Sequence, residues 1–405
     1  MIEFLQLPEA LRRQIIEQVS ARANMSMKSI EKDWWVTLVL KALFSLSMRQ
    51  HFVFKGGTSL SKAWKLIERF SEDVDIALAP EAFGRKYERT PSHSYVKALK
   101  KEGCAYTSTV IKNALGEQFA NMGIPPGMIT LEAEEVDPKM PDKDPQTLFV
   151  RYPSLYEPNP YIAEIVKVEF GVRSLKEPFA DVAIQSIIAE VFPTQSYTEK
   201  PFTVAAVEPR KTFMEKLFLL HEKFSTEREN IIIAERQSRH LSDLVRMTNQ
   251  GIAQQAFDDR NLYSTLLRHR RHYVRLKNVN YESMSMTNLW IIPPPIVMEQ
   301  YRRDYEAMRR EMLYSTSPDF DTLVDQLREL NGNLVIYGHG QSLVEVIEQA
   351  RNKIQNQEGN EILVEVEFET DPTQAADTTY STRRYLVEFI RRGDAIIFHS
   401  VRVLK

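Results

Sequence analysis

Along the first fifty positions, apolar residues recur every three or four residues. Leu11, Ile15, Ile16 and Val19 share one face of a helix predicted over 8–22. Trp34, Trp35, Leu38, Val39, Ala42, Leu43 and Leu46 do the same over 30–48. Each stripe has to be covered by something else in the fold. The period then shortens. Residues 51–55 (HFVFK) read as a short strand stopped by Gly56–Gly57, a helix follows from Ser59 to Arg69, and Ser71–Ala79 reads as a second strand ended by Pro80.

Residues 81–120 have mostly helical spacing. Eight of the 20 prolines fall between Pro125 and Pro160, which excludes long helices there but leaves room for strands such as Thr147–Tyr152. Residues 163–170 (AEIVKVEF) alternate as a strand. Helices are predicted over 210–224, 236–256, 260–278, 299–313 and 319–330, with a break at Pro293–Pro295. From about 332 the pattern changes again. A strand (Leu334–Tyr337), a helix (342–356), an alternating strand (Ile362–Glu369) and a hairpin turning at Arg392–Asp394 predict a small α+β module, so a boundary is expected near 332.

The 405 residues leave room for two or three domains, and 43% hydrophobic with 26% charged residues describes ordinary globular protein. A formal net charge of −3 offers no broad basic surface, so any nucleic-acid contact must come from a local patch. The one cysteine, Cys104, excludes an internal disulfide and thiolate-rich zinc sites. No basic leader precedes an apolar run, and no stretch approaches the roughly 20 apolar residues of a membrane span. These features predict a soluble cytoplasmic protein with no membrane partner.

The chemistry concentrates in FKGGTSLSKAW and RFSEDVDIAL. Two glycines before a helix let the backbone approach a ligand and aim amide N–H groups at it. The hydroxyls of Thr58 and Ser59, with Lys62 on the same helix, suit a triphosphate. Asp73 and Asp75, two apart on a predicted strand, project to one face, where their mutual repulsion suits a hard divalent cation. Taken alone, the pair would equally fit a solvated acidic strand edge. Lys167 and Glu169 repeat the spacing on a later strand, so Glu169 is a candidate third ligand and Lys167 a phosphate partner. A surface salt bridge is the alternative. Arg268, Arg270, Arg271, Arg275 and Lys277 make the densest basic stretch, with Tyr273 interleaved as a stacking surface, and form the candidate nucleic-acid contact. Glu365, Glu367 and Glu369 read as the polar outer face of a strand.

The runs IEKDWWVTLVLKALF, FKGGTSLSKAWKLIERFSEDVDIAL, IVKVEFGVRS, RKTFMEKLFLLHEKF and RHLSDLVRM together resemble the AbiEii family of nucleotidyltransferase-like toxins, to which the MenT toxins are related. The resemblance continues through LLRHRRHYVRL, YESM, the PPP segment and SPDFDTLVDQLREL, so it spans roughly 1–331. It implies an α+β fold with a core like that of DNA polymerase β. Residues 1–208 would form that core with its N-terminal helices, 209–331 a helical domain completing the active site, and 332–405 a module of unknown role.

The resemblance also implies a Mg²⁺- or Mn²⁺-dependent transfer of NMP from an NTP to an RNA acceptor such as a tRNA 3′ end, with growth arrest or phage exclusion as the outcome. A cognate antitoxin, often a winged-helix regulator, would be the partner. Gly56, Gly57, Thr58 and Ser59 then match the phosphate turn, Asp73 and Asp75 the metal-binding aspartates, and Ser71 the serine before them. Lys216 matches an active-site lysine and Asp243 a later aspartate, although Arg239-His240 departs from the family's pattern before it. From the residues alone, Lys216 also suits a snorkelling surface lysine, and Asp243 a helical ion pair with Arg239. Transfer of NMP or phosphate to a protein, or a non-catalytic RNA- or partner-binding role, are the rival readings.

Overall fold

The structure, a computed structural model, describes all residues except 72, 158–161, 226–231, 315, 338–342, 355–360, 370–381, 393–394 and 405. The chain packs into two units. The first holds Met1–Thr212, Arg268–Val274 and Glu311–Thr316; the second holds Phe213–Leu267, Arg275–Arg310 and Ser317–Lys405.

The first unit is built on a mixed sheet of seven strands: β1 (Phe52–Lys55), β2 (Val74–Leu78), β3 (Thr130–Ala133), β4 (Gln146–Arg151), β5 (Ile165–Gly171), β6 (Phe179–Ile184) and β7 (Phe202–Val207). Their spatial order is β3-β4-β5-β2-β1-β7-β6. The β2–β5 and β1–β7 pairs are parallel and the others antiparallel. Side chains alternate across the strands. Phe52, Phe54, Val74, Ile76, Val166, Val168 and Phe170 point into the main core, while Val53, Ala77 and Val207 form a small apolar patch of their own. The odd strand β6 and its neighbour β7 carried no strong period in the sequence and were not predicted.

The helix expected over 30–48 spans Met27–Leu43 and is buried nearly all round rather than along one stripe. Its first turns carry charged residues that the stripe reading would leave in water. Each has a built partner. Lys28 pairs with Glu164 at 2.5 Å, and Lys32 donates to the carbonyls of Ala163 and Ile165 at 2.7 and 2.6 Å. Glu31 accepts from the Leu155 amide at 2.7 Å. Asp33 pairs with Lys62 at 2.7 Å and accepts from the Ile187 amide at 2.8 Å. Burying charge is tolerable because every member has a partner.

Two boundaries shift where they matter for function. The helix after the glycines is Gly56–Lys62, starting at the glycines and ending early, with Lys65 in a left-handed conformation at φ 54. Strand β2 begins at Val74, so Asp73 lies just outside it.

In the second unit the helix Pro209–Phe224, most of which belongs here, is followed by Ser238–Asn249 and Ile252–Asp258. The last two were expected as one helix, but Gly251 separates them at φ 77. The helix Phe320–Tyr337 runs unbroken through position 332 and includes the segment expected as the strand Leu334–Tyr337. That segment's apolar run continues the spacing of buried Leu323, Leu327, Leu330 and Leu334, and four apolar residues at a helix end are indistinguishable by period from a short strand. The helix Leu343–Asn352 supplies Val346 and Ala350 to a core shared with three antiparallel strands, β8 (Glu361–Glu369), β9 (Thr382–Arg392) and β10 (Ala395–Leu404). Glu365 and Glu367 are exposed on β8, as their alternation predicts, and the hairpin tip at 393–394 lies outside the described residues.

Candidate active site

Within the first unit the sheet register sets four polar residues in one row. Lys55 on β1 is opposite Asp75 on β2, Asp75 is beside Glu169 on β5, and Glu169 is opposite Thr147 on β4. Alternation sends Val74, Ile76, Val168 and Phe170 into the main core, so the row lies on the opposite face of the sheet. Lys167, two residues before Glu169, shares that face. Spacing along the chain groups Asp75, Glu169 and Lys167, but not Lys55. The only signal for Lys55 was its place as the last strand residue before the glycines.

The electrostatics of the row are those of crowded like charges. The carboxyl of Glu169 is pushed up to about 7, first by burial, then by the negative charges of Asp75 and Asp73, while Lys55 and Lys167 pull it the other way. Gly56 explains how Asp75 fits. It adopts φ +79, and a Cβ there would lie 2.1 Å from the Asp75 Oδ2. Only a residue without a side chain leaves room for that carboxylate against the turn.

Asp73 is placed differently from the expectation of two carboxylates on one strand. Its carbonyl accepts from the Thr58 hydroxyl at 2.5 Å, and that hydroxyl is 2.9 Å from the Ser71 hydroxyl. These contacts hold the segment off the ladder, so Asp73 reaches the site from a loop. Thr58, 2% exposed, thus braces the protein. Ser59 is 1% exposed, and among the described residues its hydroxyl has no hydrogen-bond partner. Lys62 is also turned inward. Besides pairing with Asp33 it donates to the Gln185 carbonyl at 3.1 Å, so it anchors the Gly56–Lys62 helix. Gly57 faces a residue the sequence did not single out: a Cβ there would lie 2.6 Å from Nη2 of Arg69 and 3.0 Å from the Ser71 hydroxyl.

Among the described residues no group of three or more His, Cys, Asp or Glu side chains is arranged to hold a metal ion. Asp73, Asp75 and Glu169 are therefore not a ready-made cage. What the carboxylates do fit is a hard divalent cation taking one or two of them and completing its shell with phosphate oxygens. The upward push on Glu169 by its acidic neighbours is the repulsion such a cation would remove.

The AbiEii family model, described as nucleotidyl transferase AbiEii toxin of type IV toxin–antitoxin systems, matches residues 39–326, more than half of the chain. The chain belongs to the AbiEii family. It is thus a toxin-type nucleotidyltransferase, and membership implies an NTP substrate and an antitoxin partner. No curated protein matches the chain. The mixed sheet with its many helices is consistent with a nucleotidyltransferase fold. Every residue of the row lies inside the matched AbiEii segment.

In the second unit, two of the residues matched to the family come together. Lys216 pairs with Asp243 at 2.9 Å, with 8% and 1% side-chain exposure, and its ammonium is 3.2 Å from Nδ1 of His240. Lys216 is therefore not a snorkelling surface lysine, and the ion pair of Asp243 is made with Lys216 rather than with Arg239 one turn back. His240, the departure from the family's motif, is part of this cluster.

The basic stretch is helical through Arg260–His269 and a π-helical turn at Arg270–Val274, and stops at Arg275 with φ 48. Arg268, Arg271, Arg275 and Lys277 are exposed and Arg270 is half-buried. Tyr273 does not offer the expected stacking surface. It is 2% exposed, its ring stacks on His269 and Tyr87 at 4.4 and 5.5 Å, and its hydroxyl donates to the Glu88 carbonyl at 2.9 Å. Among the described residues no helix is long and apolar enough to cross a membrane.

Proposed function

We propose that this AbiEii protein transfers NMP from an NTP to an RNA acceptor, with the Lys55–Asp75–Glu169 row and the adjoining Gly56–Gly57 turn as its catalytic centre. The observation that carries the reading is Asp75 seated in the space Gly56 leaves open, in register with Glu169. That arrangement puts a carboxylate directly against a backbone turn able to receive phosphates.

In this reading Gly56 and Gly57 present the turn's backbone to the triphosphate. Asp73 and Asp75 would hold a divalent cation, Mg²⁺ or Mn²⁺, which when bound supplies charge neutralisation at the α-phosphate. Lys55 and Lys167 flank the carboxylates and balance the negative charge that builds up as the acceptor hydroxyl attacks and pyrophosphate leaves. Glu169, beside Asp75, orients the attacking hydroxyl or completes the cation's shell. Half-buried Ser71 and buried Thr58 keep Asp73 in place. Exposed Arg268 and Arg271, in the same unit as the row, give the acceptor's backbone its contact, in a chain whose net charge offers no broader one. A tRNA 3′ end is the acceptor that the family likeness favours, with growth arrest as the consequence and an antitoxin to counter it.

The test is to incubate the protein with each labelled NTP, Mg²⁺ and total small RNA. Label should enter RNA with the wild type and not with Asp75→Ala. Transfer that survives Asp75→Ala would reject the assignment, and label entering protein instead of RNA would move the acceptor to the rival class.

A further inference from the structure

Arg69 is buried, at 3% exposure. Its guanidinium occupies the space beside Gly57 that a side chain there would claim, with Nη2 only 2.6 Å from the position of the missing Cβ. The same missing Cβ would lie 3.0 Å from the Ser71 hydroxyl, so Arg69, Ser71 and Gly57 close on one point from three sides. Arg69 is itself held in place. It donates to the Phe70 carbonyl at 3.3 Å, forms a β-bridge with Leu313, and is followed by Phe70, whose amide donates to the Met312 carbonyl at 2.8 Å. Arg69 also lines a cavity of about 300 Å³, together with Thr58, Lys62, Ser71 and Tyr314.

We propose that Arg69 is a positioning residue for nucleotide binding, a fixed cation that backs the Gly57 side of the turn and holds its amides toward the triphosphate. Gly57 and Arg69 are then one device: the glycine is small so that the guanidinium can stand behind it. Gly56 does the corresponding job for Asp75 on the other side of the turn. The proposal rests on the turn being the phosphate site, and it adds a residue that acts through the backbone without touching the reacting atoms.

The experiment measures binding of ATP, GTP, CTP and UTP, each with Mg²⁺, to the full chain by titration calorimetry, alongside thermal melting and the RNA-labelling assay. Arg69→Ala should weaken the bound nucleotide about tenfold and raise KM by the same factor with little change in kcat, because the interaction is equal in ground and transition states. Guanidinium ion at millimolar concentration should restore much of the affinity, since the space left by the arginine side chain adjoins a cavity that Arg69 lines. Arg69→Lys should fall between wild type and Arg69→Ala. Gly57→Ala should weaken binding to a similar degree without guanidinium rescue. A purely structural arginine would lower the melting temperature and show neither the KM–kcat split nor the rescue.

Unchanged nucleotide affinity in a folded Arg69→Ala or Arg69→Lys protein overturns the proposal. If Asp75→Ala abolishes labelling at the same time, the site assignment stands and only the role of Arg69 falls. If the wild type binds none of the four nucleotides, both fall together.

Discussion

Two sets of charged side chains are withdrawn from water in the first unit, and they are built on opposite rules. On the helix Met27–Leu43, Lys28, Glu31, Lys32 and Asp33 each meet a group of complementary charge or polarity. At the row on β1, β2 and β5, burial and then the charges of Asp75 and Asp73 push Glu169 up to about 7, against the pull of Lys55 and Lys167. Glu31 is also pushed up by burial, but its neighbours, Ser154, the Leu155 amide, Lys28 and Arg12, all act to lower it. The first set is what a fold does with charges it needs for its own register. The second crowds three carboxyl groups that Lys55 and Lys167 offset only in part at Glu169, which is the arrangement the proposed cation and triphosphate would complete.

That contrast can be broken from either side. The largest effect should come from Asp75→Ala, which is expected to lower nucleotide transfer about a thousandfold without lowering the melting temperature, as removal of one group that stabilises developing charge does. Activity and melting measured on the same preparation check it. A loss of stability in parallel with activity would make Asp75 a member of the structural set.

Asp33→Ala should do the reverse. It strands Lys62, whose side chain is only 4% exposed, and removes the acceptor of the Ile187 amide. Breaking a buried pair costs roughly 3 kcal/mol or more, about 10 °C of melting temperature in a unit of this size. Differential scanning calorimetry reads that directly.

Gly56→Ala comes next. The added methyl meets the Asp75 carboxylate and the backbone must hold a positive φ, so transfer should fall about a hundredfold through misplacement of Asp75. A crystal structure of the variant would show that carboxylate displaced; unchanged kinetics would remove the close approach from the argument.

The smallest effect sharpens the sign of the comparison. The folded pKa of Glu169 is raised above its unfolded value, so its contribution to stability is fully present below about pH 4.5 and is lost as pH rises through about 7. Glu169→Gln carries no such loss. In chelator, the variant should melt with wild type near pH 4.5 and about 3 °C above it at pH 8. Mg²⁺ should narrow that gap at pH 8 by stabilising only the wild type.

Much of the candidate site was legible along the chain because its parts are local. A strand, two glycines, a short helix and a second strand bring Gly56, Gly57 and Asp75 together within about 20 residues, and period-2 alternation correctly put Lys167 and Glu169 on one face. Lys62 and Tyr273 mark where that legibility stops. Each has the right chemistry for a ligand, but the choice between ligand and core depends on what packs against it, which for Lys62 is Asp33 and for Tyr273 is Tyr87 and His269.

From its residues alone the chain determined an acidic pair beside a glycine turn, the helices and strands that carry them, and a family likeness strong enough to name the chemistry. Tertiary structure alone decided that Asp75 stands next to Glu169, that Lys216 pairs with Asp243, that Arg69 backs Gly57 and that four charges of one helix are buried. The physical reason is range. Periodicity and turn chemistry act over a few neighbouring residues, whereas the charge and burial of a side chain are set by partners further along the chain, 27 residues apart for Lys216 and Asp243 and 94 for Asp75 and Glu169.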